Sequence, residues 1–137
     1  PDKLTFSQHL ACPTCGLSFD ELAPHAMLAI LTNGSQRYCE ACIETFALSP
    51  YIALHSGFVS GVTKAQRIRQ WQGETGATIV IVVGDRVTDI ENARAAGAYA
   101  IGVTYGMGDR EELAGADCLC DTPQEVAACC MRLIDAQ

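Results

Sequence analysis

Apolar positions along this chain recur with two rhythms, and one stretch obeys neither. Ala77 to Val83 (A-T-I-V-I-V-V) runs apolar and β-branched with no polar alternation. Such a run predicts a strand covered on both faces, as in the middle of a parallel sheet. Leu28 to Leu31 is a second apolar run, ending in Thr32. In K-L-T-F-S-Q, Leu4 and Phe6 alternate with polar neighbours, the period of a strand. Strands are expected at 4–8, 27–32, 52–56, 77–84, 99–104 and 117–120. Helices are expected at 35–47, 63–73, 87–97 and 122–135, with a short one at 109–114 and a knuckle with a short helix at 12–25. Gly97 suits a helix C-terminal cap and Pro123 the first turn of the last helix. Strands alternating with helices imply an α/β fold: a three-layer, Rossmann-like parallel sheet.

Composition narrows the partners. At 137 residues the chain can bury one core, and no apolar run reaches membrane-spanning length. A net charge of −7 argues against nucleic acid, whose phosphates call for clustered Lys and Arg. Lys64, Arg67 and Arg69 form the one basic cluster, which suits a small phosphorylated molecule. No membrane partner is expected, and nothing indicates an oligomeric state.

Chemistry concentrates where the longest strand ends. G-D-R-V-T-D-I-E-N-A-R-A-A-G-A spans Gly84 to Ala98, with Asp85 at the strand tip and Asp89 in the following turn. Ligands of open α/β sheets bind beyond the carboxyl ends of strands, and two carboxylates there suit a hard cation such as Mg²⁺. The plainer alternative is that Asp85 caps the next helix and Asp89 favours its first turn.

The stretch resembles motif IV of the haloacid dehalogenase superfamily. L-A-I-L-T-N-G-S-Q-R-Y (Leu28 to Tyr38) is similar to that family's motif II, and S-G-V-T-K-A-Q-R-I (Ser60 to Ile68) to its motif III region. A-I-G-V-T-Y-G-M-G-D-R-E-E-L and G-A-D-C-L-C-D-T-P-Q-E-V (Ala100 to Leu113, Gly115 to Val126) resemble the end of phosphoglycolate-phosphatase-type members. The resemblance covers residues 26–137 and implies a Mg²⁺-dependent phosphohydrolase core, in which no insertion is long enough for a cap domain. Thr32 would hydrogen-bond a phosphoryl oxygen, Lys64 would neutralise the phosphoryl group, and Asp85 and Asp89 would hold Mg²⁺. Taken singly, Thr32 reads as a residue capping a turn and Lys64 as a solvated helix lysine.

One family element is missing. Motif I is a strand ending in Asp-x-Asp, whose first Asp is the nucleophile, and this chain contains no Asp-x-Asp. Only Asp2 and Asp20 precede motif II, and Asp20 in S-F-D-E-L lies too close to Leu28 for a parallel crossover. Covalent catalysis by the family route then lacks its first step, and an inactive or impaired enzyme is expected. The motif I strand is also the centre of the family's sheet. Lys3 to Gln8 is the segment expected to fill that slot, bringing Ser7, His9 or Cys12 towards the phosphate site.

F-S-Q-H-L-A-C-P-T-C-G-L-S-F-D-E-L-A-P-H-A-M (Phe6 to Met27) resembles the zinc-bearing insertion of the bacterial excision-repair ATPase. That ATPase's function does not carry over, since neither Lys3 nor Lys64 lies in a phosphate-binding G-x-x-x-x-G-K-[ST] loop. The chain reads as a mosaic: a knuckle-like segment, 1–25, joined to a core, 26–137. Cys12 and Cys15 form one C-x-x-C and Cys39 and Cys42 another, with twenty-three residues between Cys15 and Cys39. Four thiolates so spaced could hold a tetrahedral structural Zn²⁺; a redox pair and simple packing are the alternatives. Cys118, Cys120, Cys129 and Cys130 lack ligand spacing and are expected only to pack. Eight cysteines in such a chain, without a signal peptide, point to a reducing cytoplasm. Two functions follow: the phosphohydrolase core, or a non-catalytic, zinc-stabilised scaffold or interaction module.

Overall fold

The computed structural model describes the backbone of residues 3–7 and the whole of residues 22–136. Six parallel strands form one sheet: β1 (Lys3–Ser7), β2 (Met27–Leu31), β3 (Ile52–Ser56), β4 (Ile79–Gly84), β5 (Tyr99–Val103) and β6 (Cys118–Cys120). Their order is β3-β2-β1-β4-β5-β6. That is the doubly wound order, whose direction of winding reverses between β1 and β4. The segment expected to fill the central slot does so. Thr5 is in register with Leu28 of β2 on one side and Ile81 of β4 on the other.

Side-chain alternation splits the sheet into two cores. Leu28, Ile30, Ile79, Ile81, Val83, Ile101 and Val103 face one side, Ala29, Leu31, Val80, Val82 and Ala100 the other. Helices α1 (Gln36–Thr45) and α4 (Pro123–Asp135) cover the first face through Cys39, Val126, Cys130 and Ile134. Helices α2 (Lys64–Thr75) and α3 (Val87–Ala95) cover the second through Ile68, Trp71, Ile90 and Ala93. Every residue of β4 is buried, the reason its sequence carries no alternation.

Helix ends follow from local chemistry. Ser35, Thr63 and Thr122 accept hydrogen bonds from the backbone N–H groups of Tyr38, Gln66 and Glu125. The Gln66 side chain accepts in return from the Thr63 N–H, completing a capping box at the start of α2. Gly97 lies at φ 73° beyond α3, and Ala98 donates back to Ala93, closing a Schellman turn. The expected helix at 109–114 is instead a set of turns. Asp109 caps the Glu112 N–H and Leu113 donates to the Asp109 carbonyl, but the pattern does not propagate before Gly115. The expected knuckle at 12–25, including Cys12 and Cys15, falls almost wholly outside the described residues, as do His9 and Asp20. Among the described residues no helix is long and apolar enough to cross a membrane.

The cysteines of the last two elements require a correction. Cys118 on β6 and Cys129 on α4 are joined by a disulfide, whereas their spacing suggests packing alone. A residue on a strand and one eleven positions later on a helix meet because the helix folds back over the edge strand, a register that spacing does not reveal. Cys120 and Cys130 are buried free thiols, and burial pushes them up to about 11 and about 12.

Two outcomes follow for stability. Beyond α1, Ala47 sits at φ 53°, with its N–H on Glu44 and the Leu48 N–H on Ile43, the Schellman position that favours glycine. Ala47→Gly is expected to stabilise the chain by about 1 kcal/mol in denaturant unfolding; a loss of stability would show that the left-handed turn is not formed. Asp117 accepts from Arg94 and from the Ala100 N–H. Partial burial pushes its carboxyl up, but the Arg94 guanidinium and Ala100 N–H outweigh that and hold it below the usual range. Its stabilisation is thus present above the ordinary carboxylate pKa and lost as pH falls through the lowered value. Asp117→Asn should cost about 1 kcal/mol at neutral pH, and unfolding curves of variant and parent should converge in acid.

Candidate functional site

The carboxyl ends of β1, β2 and β4 are neighbours, and the sequence-predicted residues follow them. Thr32 comes immediately after β2, Asp85 immediately after β4, Asp89 lies in the first turn of α3, and Lys64 opens α2 beyond β3. All lie at one edge of the sheet. Ser7 ends β1 at the same edge, level with Val83.

Asp85 and Asp89 are 1% and 3% exposed, a burial that carboxylates tolerate only with partners. Asp85 Oδ2 accepts from the Met107 N–H at 2.7 Å, and its carbonyl accepts from the Gly108 N–H at 2.9 Å. Asp89 Oδ2 accepts from the N–H groups of Asp85 and Arg86, both at 3.1 Å. Asp85 therefore does not cap α3. Arg86 occupies the cap position, and Asp89 reaches back to it. The other oxygen of Asp89 lies 3.7 Å from Lys64 Nζ. Burial lowers the Lys64 pKa, opposed by the nearby Asp89 and Asp85 carboxylates.

Three glycines make this possible. A Cβ on Gly84 would collide with the Asp89 carboxylate, one on Gly106 with the Asp85 carboxylate, and one on Gly108 with the Asp85 carbonyl. The segment after β5 thus wraps Asp85 closely. Glu112 pins it from outside, accepting from Arg86 Nε and the Val87 N–H, both at 2.8 Å.

The helix that carries Lys64 is anchored by packing. Trp71 and Ile68 are buried on the inner face of α2, and truncating such a tryptophan typically costs about 3–5 kcal/mol. Asn92 of α3 adds a link between helices, accepting from the Ala65 N–H at 3.1 Å. Thr32 Oγ1 accepts from the Gly34 N–H at 3.1 Å, so it does cap a turn, while a hydroxyl proton remains a donor in kind.

A cleft of about 380 Å³ opens beside these groups, with Thr32, Asn33, Thr63, Lys64, Arg67, Thr88 and Asn92 among its lining. Asn33, Thr88 and Asn92 carry no signal of their own in the sequence, though all lie in the stretches that carry the motifs. Arg67 and Arg69 part company: Arg67 lines the cleft, and Arg69 donates to the Ala95 carbonyl at 2.6 Å. Helical geometry could have told them apart, because Lys64 and Arg67 are three apart on one face and Arg69 is not. Tyr38, Phe58, Val59, Val62, Val87 and Met107 are the exposed large apolar side chains among the described residues. Each follows the carboxyl end of a strand, so they ring this edge.

Of the thiols expected to hold zinc, Cys39 faces the core, where burial raises its pKa, and Cys42 is half-buried on the same helix. Cys12 and Cys15 lie outside the described residues.

A doubly wound sheet with buried carboxylates and a lysine at its reversal point is the arrangement of the haloacid dehalogenase-like hydrolases. Residues 65–128 match the HAD-hydrolase-like family. The chain is 30% identical over 103 residues to a phosphoglycolate phosphatase of Synechococcus elongatus, covering 72% of this chain and 49% of that protein. A predicted phosphatase from Clostridium acetobutylicum superposes with a TM-score of 0.75 at 24% identity, over 83% of this chain and 56% of the other. A haloacid dehalogenase-like hydrolase from Streptococcus pneumoniae gives 0.73 at 23% identity, over 80% and 55%. The chain is thus haloacid dehalogenase-like in sequence and has that family's fold. It spans about half the length of the relatives it matches. None of these likenesses is to an excision-repair protein.

The glycine contacts give a direct test. Gly84→Ala is expected to cost about 1–3 kcal/mol by overpacking the Asp89 carboxylate. Gly73→Ala, in α2 with open space around it, should instead gain about 0.5–1 kcal/mol. Chemical denaturation of both variants measures the contrast, and equal effects would mean that the close approach at Gly84 does not exist in solution.

Proposed function

We propose that the carboxyl-edge cleft is a phosphomonoester site of the haloacid dehalogenase type that binds Mg²⁺ and phosphate but turns substrate over at or near background. The carrying observation is the pairing of half-buried Lys64 with buried Asp89, 3.7 Å apart, beside Asp85 at the point where the sheet order reverses. The donor set fits the metal. Asp85, buried at the strand end, offers hard carboxylate oxygens, and the buried Asp89 carboxylate beside it adds to the negative field that a cation needs. Mg²⁺, when bound, supplies charge neutralisation for the phosphoryl oxygens.

The protein's own groups have distinct parts in this reading. Asp85 holds the metal. Asp89 is a positioning residue: it fixes the Asp85–Arg86 turn through two backbone bonds and orients Lys64. Lys64 meets the phosphoryl group as a cation, and the Thr32 hydroxyl donates to one of its oxygens. Arg67, one helical turn from Lys64, widens the field for an anion at the cleft mouth. The apolar ring supports a ligand with a carbon body over inorganic phosphate alone.

The nucleophile is where this chain departs from its relatives. No Asp-x-Asp occurs in the sequence, and the residue closing β1 is Ser7. The second reading, a zinc-stabilised scaffold or interaction module, draws on that absence. The experiment separates them. Hydrolysis of a generic aryl phosphate with Mg²⁺ should stay at background. Calorimetry should still detect Mg²⁺ binding that Asp85→Asn abolishes and phosphate binding that Lys64→Ala weakens at least about tenfold, the size of one charged contact. Robust turnover lost in Asp85→Asn would mean an active enzyme, with Ser7, His9, Cys12 and Asp20 the next residues to change. No binding of either ligand would leave the scaffold reading.

A further inference from the structure

The disulfide at the sheet edge has a third sulfur beside it. Cys118 and Cys120 alternate along β6 and so project from the same face. Cys129 meets them from α4, and the three Sγ atoms lie within 4.8 Å of one another. A disulfide uses two sulfurs; it gives no reason for a third to converge on the same point. Arg132, almost one turn along α4, donates from Nη2 to Cys118 Sγ at 3.4 Å, placing a fixed positive charge against the cluster. Three thiolates with a guanidinium behind them form an anionic, soft-donor pocket, chemically unlike the carboxylate site at β4. The Cys118–Cys129 bond and a bound metal exclude each other, because a metal needs both sulfurs as thiolates.

We propose that in the reduced chain Cys118, Cys120 and Cys129 bind one soft divalent cation of the zinc class, with Arg132 compensating the charge. Each thiol gives its proton to solvent as its sulfur takes the metal, and the fourth position is left to water or an outside ligand. Oxidation by a small disulfide such as oxidised glutathione empties the site. The Cys118 and Cys129 thiolates give up the metal and one electron each, their sulfurs join, and the incoming disulfide leaves as two thiolates that take their protons from solvent. The proposal is independent of the phosphoryl cleft, and also of the zinc expected at Cys12, Cys15, Cys39 and Cys42.

The test uses the full chain carrying Cys12→Ser and Cys15→Ser, reduced with a phosphine without oxygen and titrated with Co²⁺ as a spectroscopic stand-in for Zn²⁺. One equivalent should give the charge-transfer and ligand-field bands of a tetrahedral thiolate site, and Zn²⁺ should bleach them. Cys120→Ser and Cys129→Ser should each weaken Co²⁺ binding by at least about 100-fold, and Arg132→Gln by about tenfold. Cys42→Ser should leave the bands unchanged. A measurement without further substitution guards against misfolded variants: treatment with oxidised glutathione should abolish the bands as peptide mapping shows the Cys118–Cys129 link appear. Absence of the bands in the reduced chain, or bands indifferent to Cys120→Ser, overturns the proposal. If the link then forms readily with no cobalt uptake at any stage, the cluster is a disulfide pair and nothing more.

Discussion

Everything else in this fold hangs on hydrogen bonding along both sides of β1. Without it the remaining strands fall into two groups, β2 with β3 and β4 with β5 and β6, that share no ladder. Unpaired strand edges in the middle of a protein are costly, so a segment must lie there whatever its side chains. That is why a stretch lacking the relatives' nucleophile can still complete the sheet. Backbone pairing is indifferent to sequence; catalysis is not. The architecture and the chemistry of the central slot are therefore separable: the backbone of β1 completes the sheet in a sequence that contains no Asp-x-Asp.

The cleft shows the same separation at finer scale. Its carboxylates are held by backbone N–H groups from two loops, and its lysine by the packing of Trp71 and Ile68 beneath it. Those supports lie on α2, at the start of α3 and in the loops after β4 and β5. Supports of that kind do not themselves call for a nucleophile opposite them. This is the physical basis for expecting binding without turnover.

Much of this was legible in the sequence, for identifiable reasons. The β4 run announced burial on both faces because hydrophobic residues without alternation have no other stable placement in a short strand. Thr32, Lys64, Asp85 and Asp89 were read as a set through the resemblance to the haloacid dehalogenase motifs, and the structure places all four at one sheet edge because each follows a strand end and all such ends face one way. What stayed hidden depends on contacts between distant segments. The turns at 109–114 are held by Arg86 and Val87, which no local pattern around Glu112 encodes. The meeting of Cys118 and Cys129 depends on how α4 lies across β6. The division between Arg67 and Arg69 was available from helical spacing but needed the cleft to give it meaning.

The ring of exposed apolar side chains around the carboxyl edge also bears on how copies of this chain behave towards one another. Tyr38, Phe58 and Met107 are each more than half exposed, at 58%, 61% and 79%, and they share one end of the molecule. A net charge of −7 opposes the approach of two such ends. That repulsion acts over about 10 Å at 0.1 M salt and only about 3 Å at 1 M. Colloidal stability therefore rests on a long-range repulsion that salt removes, set against a short-range attraction that salt leaves in place. In dilute buffer the charge keeps these ends apart. In concentrated salt the same surface becomes adhesive, and the edge that would receive a ligand is the one that sticks.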